Sequence, residues 1–100
     1  MKKIERISDQ IEDEIEDALE YAQWALEVKD SDADFARILL ANSKEELEHA
    51  DRLHNKVVAY INEYRQLHGD PPADMLARYE YLHNRHIKDV THVKIIQSMI

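Results

Sequence analysis

The sequence predicts an all-α fold, a long antiparallel helical hairpin followed by a third helix, and three observations carry that expectation. Glycine and proline are scarce, with one and two copies in 100 residues, so a strand-and-turn architecture lacks its punctuation. Apolar residues recur at steps of three and four along three separate stretches. Both interruptions between those stretches are built from residues that end or cap helices. A chain of this length supports one hydrophobic core rather than two, so a single helical domain over 1–100 is expected.

The first helix is expected over about 4–29. Ile4, Ile7, Ile11, Ile15, Ala18, Ala22 and Ala25 make its apolar stripe, and Glu5, Glu12, Glu16 and Glu20 make its solvated face. Asp30, Ser31, Asp32, Ala33 and Asp34 follow. Their short polar side chains compete for backbone hydrogen bonds, closing one helix and capping the next, which predicts a tight hairpin. The second helix is expected over about 33–68, with Phe35, Leu39, Leu53, Val57, Ile61 and Tyr64 facing inward. Gly69-Asp70-Pro71-Pro72 stops it, because proline lacks a backbone donor and drives the preceding residue from helical angles. A third helix follows over about 73–98, on the spacing of Met75, Leu76, Tyr79, Leu82, Ile87, Val90 and Val93.

Composition narrows the function. The formal net charge is −8 and no cluster of Lys and Arg is dense enough to neutralise a run of phosphates, so nucleic acid is not an expected partner and cations are. There is no cysteine, which excludes disulfides, thiolate metal sites and iron–sulfur clusters, and fits a cytoplasmic location. No signal peptide and no apolar run near the ~20 residues of a membrane span is visible, so no membrane role is expected.

The informative residues are polar ones on apolar faces. At about 100° per residue, Glu46 falls at the centre of the apolar stripe of the second helix, between Leu39 and Leu53 and in line with Tyr64. An unpaired carboxylate there costs several kcal/mol, so a proton, a cation or a metal must compensate it. His49 stands one turn on, and the resulting Glu-x-x-His pair can converge on one ion. Across the hairpin, Glu14 lies level with His49 and Glu16 level with Glu46. Height alone does not choose, but Glu14 sits at the edge of the apolar stripe while Glu16 points away, so Glu14 is the favoured third ligand and Glu16 the reserve. Tyr21 is either core or a hydrogen-bond donor to a ligating carboxylate. His83 and His86, on the apolar face of the third helix, are reserve ligands or residues bonded to their neighbours, and His54, His68 and His92 are expected on the surface or in packing roles.

Glu14, Ala18, Tyr21, Ala22 and Ala25, together with Glu45-Glu46-Leu47-Glu48-His49-Ala50, resemble the helix pair of the rubrerythrin and ferritin-like superfamily, and in particular the encapsulated ferritins, whose short chains each carry half a site. The likeness covers the first two thirds of the chain. It implies a ferritin-like four-helix bundle completed by dimerisation, a di-iron or di-manganese carboxylate centre with zinc as a further candidate, and ferroxidase-like or peroxide-handling oxidoreductase activity. Glu14, Glu46 and His49 would be the ligands, supplied twice by a homodimer or higher oligomer. An enclosing shell or an electron-donor protein would be the remaining partners. The chain departs from the pattern in having only one further helix and no cysteines for a rubredoxin-like domain. The competing reading is a structural or partner-binding helical oligomer whose inner polar groups fix register without a catalytic metal.

Overall fold

Two short interruptions divide the chain into α1 (Lys2–Val28), α2 (Ala33–His68) and α3 (Ala73–Ser98), and the described residues contain no strand. The structure is a computed structural model and describes residues 2–100. At the first interruption the backbone N–H of Asp32 donates to Val28 O at 2.7 Å, and its carboxylate accepts from the backbone N–H of Phe35 at 3.1 Å. One residue therefore closes the turn and caps α2, satisfying a donor the helix start leaves unpaired. At the second, Gly69 adopts φ +77°, where a side chain would be strained, and its N–H donates to Arg65 O at 3.0 Å. Pro72 then accepts from Met75 and Leu76 to start α3.

The helices form a rod 56 × 18 × 17 Å. At about 1.5 Å per residue, the 36 residues of α2 account for its length. α1 and α2 pack along most of their extent, whereas α3 leans on α1 and scarcely meets α2. Arg78 reaches Glu5 at 3.2 Å and Arg85 reaches Glu12 at 2.9 Å, so α3 runs in the same direction as α1, in register over steps of seven. At the far end Lys29 Nζ donates to Met99 O at 3.0 Å. No helix is long and apolar enough to cross a membrane.

The core follows the expected stripe on α1 and departs from it elsewhere. Ile4, Ile11, Ile15, Ala18, Ala22 and Ala25 are buried, Ser8 joins them, and Ile7 is half-buried. On α2 the buried set is Ala36, Leu39, Ser43, Ala50, Val57 and Ile61, while Phe35, Leu53 and Tyr64 lie on its flank. The alanines of α1 let the α2 backbone come close, so the centre of the contact falls on small residues rather than on the largest apolar ones. Ser43, fully buried, donates to Ala18 O at 2.6 Å and accepts from Gln97 Nε2 at 2.9 Å, joining all three helices at one hydroxyl. α3 buries only His86, Val93 and Ile96, and Ile87, expected inside, is 51% exposed because it faces the gap between α3 and α2.

Candidate metal centre

Glu14, Glu46 and His49 come together across the hairpin. Each offers one ligand atom, and these atoms all lie within 4.8 Å of one another. His49 Nδ1 stands 3.6 Å from Glu14 Oε2 and 3.8 Å from Glu46 Oε1. The Glu46 to His49 step is one helical turn, which stacks the two side chains on a single face, and the close α1–α2 packing brings Glu14 to them. The glutamate side chains are 16% and 20% exposed and that of His49 45%, so the imidazole is the most exposed of the trio.

The two carboxyl groups shift each other's ionisation in opposite directions. The hydrogen bond with Glu14, burial and repulsion from the Glu14 charge push Glu46 up to about 7, against the pull of His49. Glu14 is lowered, first by the hydrogen bond it accepts from Glu46, then by those from Gln10 and His49, with burial opposing. Below about pH 7 the pair therefore holds one proton, on Glu46, with Glu14 as the facing carboxylate. Gln10 Nε2 donates to Glu14 Oε1 at 3.1 Å, fixing the orientation of that carboxylate.

Gln10 is the contributor that the sequence reading missed. Its signal was present, since Gln10 and Glu14 stand four apart on one helix face. Tyr21, expected either in the core or against a ligating carboxylate, packs half-buried against Ala25, Ala36 and Leu39. Glu16 is exposed and outside the trio. Glu46 itself lies on the edge of the buried stripe rather than at its centre, because that centre has moved to Ser43 and Ala50.

His83 and His86 are also apart from the trio. Glu12 and Glu14 are about 200° apart around α1, and Glu12 pairs with Arg85 of α3, so Glu14 faces the side of the hairpin that α3 leaves uncovered. The His83 ring stacks on His54 with centroids 4.5 Å apart and on Tyr79 at 5.8 Å. His86 is buried with Nε2 unpaired. Burial, followed by the proximity of His83, lowers the pKa of His54. Burial likewise lowers that of His86, opposed by Glu12 and Asp89. His54, expected on the surface or in packing, is half-buried against His83.

Two large apolar residues are exposed toward the uncovered side. Trp24, ten residues from Glu14, and Ile38, eight from Glu46, lie about a quarter turn round their helices from those glutamates and two to three turns along them. Trp24 meets Phe35 edge to face with centroids 5.0 Å apart. Two carboxylate oxygens and one imidazole form a donor set suited to Fe(II), Mn(II) or Zn(II) and unsuited to copper(I), which favours thiolates. No family model, no curated protein and no solved structure matches the chain.

Proposed function

We propose that this chain is a ferritin-like metal-binding protein that holds half of a dinuclear, iron-preferring carboxylate–histidine site and completes it by dimerising through the uncovered face of α1 and α2. The observation that carries this reading is the convergence of Glu14, Glu46 and His49 from two helices to within 4.8 Å. A second copy doubles the donors to four carboxylates and two imidazoles, the complement that two such metals take in helical bundles. The fit rests on the shared proton as well as on donor type. Two carboxylates held this close need a positive charge between them, and a divalent cation satisfies that need more fully than one proton does. Exposed Trp24 and Ile38, two to three turns along from the trio, support a subunit interface on this side of the hairpin.

When bound, iron would supply the redox chemistry, with Fe(II) oxidised at the expense of oxygen or peroxide. The chain's own contribution is positional. Gln10 orients Glu14, the Glu46 carboxyl gives up its proton on metal entry, and His49 presents a ring nitrogen beside both carboxylates. Anaerobic Fe(II) titration followed by aeration tests the proposal. Wild-type protein is expected to bind and oxidise Fe(II), Glu46→Ala to lose both, and Glu16→Ala to behave as wild type. Unchanged stoichiometry and rate in Glu46→Ala would end the reading.

The shared proton also favours a second reading, since it satisfies the pair with no cation. In that case the trio sets helix register in a purely structural oligomer. Such a protein purifies without metal, and its thermal midpoint is indifferent to Fe(II), Mn(II) or Zn(II).

A further inference from the structure

α3 is the helix with unused surface. It spans 26 residues and buries three, and it leaves Tyr81, Ile87 and Ile95 exposed, with Met99 exposed just beyond its end. A cleft of about 800 Å³ separates it from α2, with Ile11 and Ile15 as floor, Leu47 and His54 on one wall, and Ile87 and Lys94 on the other. Val58, eleven residues beyond Leu47 and therefore within about 20° of it around α2, extends the apolar wall and is itself exposed.

The order of residues along this face of α3 identifies what fits there. Glu80, Ile87 and Lys94 follow one another at steps of seven, two helical turns, and so share one face. All three are exposed. An acid and a base stand equally far on either side of one exposed apolar residue. Such a stripe is complementary to itself when turned end for end, because apolar meets apolar at the centre and opposite charges meet at both ends.

We propose that a second copy of this chain packs antiparallel along α3, with Ile87 on the two-fold axis and Glu80 of each chain against Lys94 of the other. The contact fills the cleft wall of α3 and lies on the opposite side of α1 from Glu14. It is thus separate from the interface that would complete the metal site, and the two together would build an assembly larger than a dimer. The choice of a second copy over a foreign helix rests on the symmetric placement of the two charges.

The chain contains no cysteine, so a single introduced thiol reports on proximity cleanly. In chelated Glu46→Ala protein, where metal-driven association is removed, Ile87→Cys incubated with oxidised glutathione is expected to accumulate as a disulfide-linked dimer. Lys88→Cys, about 100° round the helix, is expected to associate without crosslinking. By sedimentation, Glu80→Lys and Lys94→Glu each weaken association roughly tenfold, and the double variant restores it, since the pair is merely reversed. A helical but uncrosslinked Ile87→Cys protein, equal crosslinking through Lys88→Cys, or a double swap no stronger than the single ones would each overturn the proposal. Glu80, Ile87, Lys88 and Lys94 are exposed and Glu46 is half-buried, and retention of the fold in every variant is verified by helicity in circular dichroism. Failure of the metal proposal leaves these outcomes unchanged, because they are read without metal.

Discussion

Glu46 titrates in the range where cells operate because Glu14 faces it from the other helix. Its folded pKa, about 7, stands above the 4.5 of an unperturbed glutamate. A carboxyl group with a raised folded pKa contributes stability that is complete below its unfolded value and is lost as pH climbs through the folded one. Glu14, lowered, behaves oppositely, its contribution being lost only as pH falls through its own depressed pKa. Metal-free protein is therefore expected to lose stability as pH rises from about 5 to about 8, by roughly 1–2 kcal/mol. Glu46→Gln keeps a hydrogen-bond donor without the ionisation, so its thermal midpoint should stay flat over that window. A wild-type midpoint that rises with pH would show that the proton is not shared. The inward lean of Glu46 and its pairing with His49 were legible from helical spacing alone. The shared proton was not, since it depends on how closely α1 and α2 approach.

At the scale of the helix, small residues set that approach. Ala18, Ala22 and Ala25 on α1 meet Ala36 and Ala50 on α2, and Ser43 lies fully buried among them, bonded to Ala18 O and to Gln97. Ser43→Ala removes a buried hydroxyl that serves two partners and leaves the Gln97 amide unsatisfied, with an expected cost of about 1–3 kcal/mol in chemical denaturation. A change below a few tenths of a kcal/mol would mean that water replaces the hydroxyl. The hairpin was readable because its signals are local. Asp32 caps within three residues, Gly69 supplies its own left-handed turn, and α1 packs against two helices, so its stripe is regular. α3 was read less well for the same reason in reverse. It touches mainly one neighbour, and the way it leans on α1 leaves Ile87 turned outward, a tertiary fact absent from periodicity.

On the scale of the molecule, the rod is one helix long and about two wide, with α3 and the Glu14, Glu46 and His49 trio on different sides of the hairpin. Among the described residues, one chain gathers three donors there, while Fe(II) and Mn(II) accept up to about six ligands. On the metal-binding proposal the remainder comes from a second copy or from water, and the copy supplies charge where water does not. Metal affinity and dimerisation are then linked, and linkage is reciprocal. Whatever factor dimerisation adds to metal affinity, metal adds to dimerisation. Diluting the protein below its dimer dissociation constant should therefore raise the Fe(II) or Mn(II) concentration needed for half-saturation. Adding metal at fixed protein concentration should raise the dimer fraction by the matching factor, and Glu46→Ala should abolish both effects. Titrations across about a hundredfold range of protein concentration, paired with sedimentation at each point, check the match. An affinity that stays constant through that range would place a complete site within one chain, and the subunit-interface arrangement would be wrong even if the metal were bound.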